Sequence, residues 1–194
     1  TRQGAAPTWP ERQARLQALR RLLLENKDAL CAAINADFGN RPWQETQLLE
    51  MLQVLSEIDC ALKKGKSWMR PRHSWASLWL LPARNEVLPQ PKGVVGISVP
   101  WNYPLMLALC PLAGALAAGN SVLLKFAEDS AQFARLLQDL VAQYFAPEVL
   151  RVVCSAPGVA QAFVALPFDH LLFTGSSAAG QKVMAAASQN LTPV

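Results

Sequence analysis

The sequence predicts an α/β fold: a parallel sheet with crossover helices, preceded by an N-terminal helical segment. Three observations carry this. From residue 94 onward short apolar runs alternate with helical-period segments in a βαβαβαβα order. Before that, apolar residues recur at helical spacing in two stretches. The strand candidates are followed by turn-forming residues rich in Gly, Ser, Asn and Pro, where open α/β sheets place their ligands.

The elements follow in order. Thr8-Trp9-Pro10-Glu11 reads as a capping box with Pro at the first helical position. Leu16, Leu19, Leu23 and Leu30 then define one helix to about Asn35, and Asp37-Phe38-Gly39-Asn40 breaks it. A second helix carries Leu48, Met51, Leu52, Leu55, Ile58 and Leu62 on one stripe. Residues 65–82 have no period and read as an irregular arm with Trp68, Trp75 and Trp79. Residues 84–90 suggest a strand, which Pro89 places at an edge. Val94–Val99 reads as a buried strand, 105–118 as a helix kinked at Pro111, and 121–126 as a strand. A helix over 130–145, capped by Asp129 or Ser130, leads to a strand over 150–154. A short helix over 158–165, a strand over 170–174 and a helix over 176–187 complete the alternation. The division is a helical segment and arm over 1–82 and a sheet-bearing domain over 83–194.

Composition limits the function classes. Hydrophobic residues make up 52% of the 194, enough for a substantial core, while charged residues are 16%, which suggests surface covered by a partner or by further chain. The net charge of +4 comes largely from Arg2, Arg12, Arg15, Arg20, Arg21 and Lys27, and from Lys63, Lys64, Lys66, Arg70 and Arg72. Short charge runs of this kind read as solvated surface, with no nucleic-acid partner. The four cysteines, Cys31, Cys60, Cys110 and Cys154, form no CxxC pair. They read as reduced, buried thiols of a cytoplasmic protein with no metal site. The start has no charged-then-apolar pattern, which predicts no targeting segment. Residues 93–124 carry no charge, but Pro100, Pro104 and Pro111 with Gly114 and Gly119 argue against a membrane span.

Three post-strand segments can carry chemistry. Asn102 lies in a proline-bracketed turn, where a rigid amide can donate to a developing oxyanion; its plainer role is to form the turn. Lys125 and Glu128 end a hydrophobic strand, where they suit ribose hydroxyls or a simple exposed ion pair. Gly175 to Gly180 opens a helix whose free N–H groups suit a pyrophosphate, or is only a small-residue cap.

Together these segments resemble the aldehyde dehydrogenase superfamily. The matching text is Gly93-Val94-Val95-Gly96-Ile97-Ser98-Val99-Pro100-Trp101-Asn102-Tyr103-Pro104, then residues 117–128 ending Leu124-Lys125-Phe126-Ala127-Glu128, then Phe173-Thr174-Gly175-Ser176 with Gly180. Leu80-Leu81-Pro82-Ala83-Arg84 and residues 168–176 resemble the bacterial coniferyl aldehyde dehydrogenase branch. The resemblance implies a Rossmann-like fold, a truncated aldehyde dehydrogenase cofactor domain. It implies Asn102 as the oxyanion-hole amide and Val99, Pro100 and Trp101 along the cofactor. It places Lys125 and Glu128 at the adenosine ribose and Gly175 and Ser176 at the pyrophosphate. Glu128 would repel a 2′-phosphate, so NAD is expected over NADP. An aldehyde, of coniferyl type by branch, is the implied substrate of the complete enzyme, and a homo-oligomer the implied assembly.

Family members continue beyond the point corresponding to Val194 into a Glu-Leu-Gly-Gly segment, whose Glu is the general base, and then to a nucleophilic cysteine. Neither is in this chain, and none of its cysteines matches the nucleophile's motif. The resemblance therefore implies an inactive cofactor-binding part. Acyl-CoA-reducing relatives share the fold. The competing readings are a non-catalytic nucleotide-binding module and a shortened paralogue that pairs with a full-length subunit.

Overall fold

The computed structural model describes residues 6–194; Arg2 of the basic start and the first five positions of the 1–82 segment lie outside them. The first helix, α1, spans Trp9–Glu25, so Pro10 is its second residue rather than its first. The Glu11 carboxylate accepts from the Thr8 N–H at 2.6 Å and the Thr8 hydroxyl at 2.7 Å. The single helix expected to reach Asn35 is two: α2 spans Lys27–Phe38. The break falls at Asn26, whose side-chain amide donates to the Leu22 carbonyl at 2.9 Å and to the Tyr144 hydroxyl at 3.2 Å. An Asn that satisfies a helix carbonyl with its side chain competes with the backbone ladder. The expected break after Asp37 is present: Gly39 adopts φ 76° and closes α2 with its N–H on the Asn35 carbonyl.

The second helical stretch begins with a short turn, α3 (Trp43–Glu45), and passes through π-helical turns over Thr46–Met51 into α4 (Leu52–Trp68). Wider turns shift the buried face. Met51, Val54, Ile58 and Ala61 are buried, whereas Leu48 and Leu52, assigned above to the core stripe, are exposed. The shift also turns Glu50 fully inward. The arm is less irregular than expected, for β1 (Arg72–Ser74) pairs antiparallel with β2 (Asn85–Val87). The strand expected over 84–90 is thus three residues long and ends before Pro89.

The sheet contains β3 (Val94–Ser98), β4 (Ser121–Lys125), β5 (Leu150–Val153) and β6 (His170–Phe173). All are parallel, in the order β5-β4-β3-β6. The connections are α5 (Pro104–Ala117, with Pro111 inside it), α6 (Ala131–Tyr144) and α7 (Val159–Val164), and α8 (Ser177–Ala187) follows β6. Alternate residues face opposite layers. Val95, Ile97, Val122, Leu124, Leu150 and Val152 join one large core with α1, α2, α4, α5 and α6. Val94 and Leu123 face a much smaller cluster built on Phe163, Phe168, Leu171 and Val183. Gly96 lets the Phe168 ring lie against β3, since a Cβ there would sit 2.7 Å from the ring. The helical segment and the sheet thus share one core. Beside β6, the Pro193 carbonyl accepts from the Leu171 N–H at 2.9 Å.

Ser130 occupies the N-cap position of α6, as expected, but its side chain makes no cap bond. Asp37 of α2 supplies it, its carboxylate accepting from the Gln132 and Phe133 N–H groups, both at 2.9 Å. A carboxylate on a helix N-terminus satisfies two orphan donors and the positive dipole end. No helix among the described residues is long and apolar enough to cross a membrane. Asp37→Ala is expected to lower unfolding free energy by about 1–2 kcal/mol in urea titrations, whereas Ser130→Ala changes it by less than about 0.5 kcal/mol.

Candidate functional site

The register of the sheet sets the site. Ser98 of β3 lies level with Lys125 of β4 on one side and Phe173 of β6 on the other. The three segments singled out in the sequence therefore leave the sheet together at its carboxyl edge. The chain moves outward from β3 through β4 to β5, then returns to place β6 on the opposite side of β3. Such a reversal leaves a crevice at the carboxyl ends of the two strands.

The β3 segment occupies the middle. Val99 is buried and donates its N–H to the Lys125 carbonyl at 2.8 Å, extending the ladder by one bond. Pro100 is half-buried. Trp101 is 53% exposed, with its ring 6.0 Å from that of Phe38. An open depression of about 450 Å³ lies here, lined by Asp37, Phe38, Trp101 and Asp129. Asn102 is exposed. Its backbone carbonyl is engaged, accepting from Arg41 Nη1 at 2.8 Å.

On the β4 side, Lys125 is half-buried and Glu128 is exposed at the head of a 3-10 turn, Glu128–Ser130. Burial lowers the Lys125 pKa, and the charge of Glu128 opposes that shift. Among the described residues the two form no close ion pair. On the β6 side, Gly175 and Ser176 are exposed. Ser176 caps α8, its Oγ accepting from the Ala179 N–H at 3.3 Å. The first two helical residues, Ser177 and Ala178, have no carbonyl within their helix for their N–H groups. Two strand spacings, roughly 10 Å, separate the β4 and β6 groups, with the Val99–Asn102 segment between them.

Two residues passed over in the sequence hold this centre. Glu50 is fully buried, and its Oε2 accepts from the N–H groups of Leu105 at 2.8 Å and Met106 at 3.0 Å, the start of α5. Its Oε1 accepts from Arg41 Nη1 at 3.3 Å. Burial pushes the Glu50 carboxyl upward; the Met106 and Leu105 N–H groups and the Arg41 charge pull against that. The Arg41 guanidinium lies 3.6 Å from the Phe38 ring centre and 4.9 Å from that of Tyr103, with Glu45 Oε1 3.5 Å from its Nε. The available signal was a carboxylate between Leu49 and Met51 in an apolar helix, a residue type rarely buried without a partner.

Of the cysteines expected to be buried, Cys31 is, while Cys60, Cys110 and Cys154 are only half-buried. Burial raises the thiol pKa of Cys31 and Cys154 and pushes that of Cys110 to about 11, which keeps these thiols protonated. Among the described residues no cluster of three His, Cys, Asp or Glu could hold a metal ion.

The chain matches the sequence profile described as the aldehyde dehydrogenase family over residues 3–194. A protein of Pseudomonas aeruginosa described as "Probable coniferyl aldehyde dehydrogenase" is 47% identical over 188 residues, covering 97% of this chain and 40% of that protein. The coniferyl aldehyde dehydrogenase of a Pseudomonas species is 41% identical over 183 residues, covering 94% of this chain and 38% of the relative. Among solved structures, Staphylococcus aureus AldH in a substrate-bound state superposes with a TM-score of 0.91 at 31% identity, covering 96% of this chain and 41% of that one. Mycobacterium tuberculosis aldehyde dehydrogenase complexed with NAD+ gives 0.84 at 31% identity, covering 98% and 39%. The chain thus spans about two-fifths of the length of the curated relatives it matches.

Glu50 sets a pH dependence of stability with a definite sign. The folded protein holds the Glu50 proton more tightly than the unfolded chain does. Its contribution is therefore complete below the ordinary glutamate pKa and is lost as pH rises through the raised folded value. Glu50→Gln removes this titration. In urea titrations across that window, the stability of the wild type relative to the variant should fall with rising pH; a rise contradicts the assignment.

Proposed function

Because this chain belongs to the aldehyde dehydrogenase family, we propose that it is the N-terminal, cofactor-binding part of a nicotinamide-dependent enzyme that oxidises an aldehyde to its carboxylic acid. The observation that carries the reading is the strand register, with Trp101 and Asn102 between Lys125–Glu128 and Gly175–Ser176 at the switch point of the sheet. The donor set fits a dinucleotide. An exposed carboxylate accepts from ribose hydroxyls, an ammonium donates to them, and the N–H groups opening α8 suit a pyrophosphate.

In this reading Lys125 and Glu128 hold the adenosine ribose, while Gly175, Ser176 and the start of α8 receive the pyrophosphate. Val99, Pro100 and Trp101 line the cofactor's path. When bound, the nicotinamide supplies the hydride acceptor. Asn102 donates its side-chain N–H to the aldehyde oxygen as attack makes it an oxyanion, a stabilisation worth about 10²–10³-fold in kcat. The attacking cysteine and the general base belong to sequence beyond this chain. Glu128 repels a 2′-phosphate, which favours NAD over NADP.

The substrate is a coniferyl-type aromatic aldehyde, supported by the names of the Pseudomonas relatives. Within the 1–82 segment, the described residues from 6 onward brace the site and supply the arm; residues 83–194 carry the cofactor groups. The enzyme is a cytoplasmic homo-oligomer: four free thiols fit a reducing compartment, and exposed Trp75, Trp79 and Leu81 on the arm fit association.

The polypeptide encoded by the complete gene should produce NADH from a coniferyl-type aldehyde and bind NAD more tightly than NADP, and Glu128→Gln should narrow that gap. Nucleotide binding without turnover would identify a non-catalytic module instead, and tighter NADP binding would reject the role of Glu128. The 194-residue chain alone should produce no NADH; robust production by it contradicts the missing-nucleophile reading.

A further inference from the structure

Arg41 belongs to the helical segment, 61 positions from Asn102, yet it touches the site's central loop directly. Its guanidinium is almost enclosed, with the side chain 10% exposed and the partner carboxylate of Glu50 fully buried. One nitrogen, Nη1, donates both to the Asn102 carbonyl at 2.8 Å and to Glu50 Oε1 at 3.3 Å. The plane of the guanidinium lies near Phe38 on one element and Tyr103 on another. Glu50 in turn takes the N–H groups of Leu105 and Met106. Backbone or ring atoms of residues 102, 103, 105 and 106 are therefore all held by one buried pair.

A buried ion pair is poor value as a source of stability, because desolvating both charges offsets their attraction, and an apolar pair of similar volume serves as well. What the pair supplies is direction. A hydrogen bond to a carbonyl resists rotation of its peptide plane, which fixes ψ of that residue and the place of the Cα from which its side chain springs. A misplacement of about 1 Å in a catalytic group costs on the order of 100-fold in rate.

We propose that Arg41 is the positioning residue for Asn102, setting through its hold on the Asn102 carbonyl where the Asn102 carboxamide points, with Glu50 anchoring Arg41 to the start of α5. This rests on the reading of Asn102 as the oxyanion donor. Arg41 touches no reacting atom in it; the effect passes through Asn102 alone.

That last point makes the proposal separable from a purely structural role. The test uses the polypeptide encoded by the complete gene, assayed by NADH production, with four variants: Arg41→Lys, Arg41→Leu/Glu50→Gln, Asn102→Ala, and the combination of the last two. The Arg41→Leu/Glu50→Gln form leaves no unpaired buried charge and keeps an acceptor for the Leu105 and Met106 N–H groups, so it is expected to fold. It should lose about 10–100-fold in kcat with the KM for NAD changed little, and Arg41→Lys, which keeps a donor, should recover part of the loss. Added to Asn102→Ala it should cost less than about twofold more, because residues acting as one unit are not additive. Wild-type kcat in Arg41→Leu/Glu50→Gln overturns the proposal, as does a loss that multiplies with that of Asn102→Ala or falls on the KM for NAD. If the wild-type polypeptide oxidises no aldehyde, the functional reading falls and takes this proposal with it; activity with multiplicative losses removes this proposal alone.

Discussion

The Glu50 carboxylate buried against the first two free N–H groups of α5 is the constraint on which the site depends. A carboxylate without a partner in a dry core costs several kcal/mol, so Arg41 must accompany it. Arg41 in turn is fixed by Phe38 and Tyr103 and reaches the Asn102 carbonyl. The helical segment, the Asn102 turn and α5 are thereby locked in one register. Their shared core confirms it on a larger scale, for α1 and α4 both pack directly on α5. The helical segment is a brace of the site rather than an appendage.

The sheet supplies the second constraint. Parallel strands in register bring three distant loops to one edge, and the return of the chain to the far side of β3 opens the space between them. The two faces are unequal. One carries a core spanning five helices, while the other rests on Phe163, Phe168, Leu171 and Val183 beneath α7 and α8. Gly96 allows even that thin layer to close, with the Phe168 ring against the strand backbone.

The elements and the post-strand loops were legible in the sequence because they rest on local pattern. Val94–Ser98, Ser121–Lys125 and the other sheet strands are short apolar runs between turn residues, and α8 is announced by Ser176. What escaped has a common cause. The cap of α6 by Asp37 and the hold of Arg41 and Glu50 on the Asn102 turn are side-chain bonds between residues far apart in the chain: 95 positions for Asp37 and Gln132, 61 for Arg41 and Asn102, 55 for Glu50 and Leu105. Periodicity carries no information about them. The π-helical turns over Thr46–Met51 misled the pattern more directly, moving Leu48 and Leu52 out of the stripe and Glu50 into it.

Family membership and site geometry meet at the carboxyl edge of β3. The family match covers residues 3–194, and within it the sheet edge carries the half-buried Lys125, the exposed Glu128, the helix start at Ser176 and an Asn102 whose carbonyl is held by Arg41. A crystal structure of the polypeptide encoded by the complete gene with NAD tests this most directly. The expected structure has ribose hydroxyls on Lys125 and Glu128, the pyrophosphate at Ser176 and the start of α8, and Arg41 on the Asn102 carbonyl. A dinucleotide bound away from the carboxyl ends of β3 and β6, or an Asn102 turn released from Arg41, would contradict it.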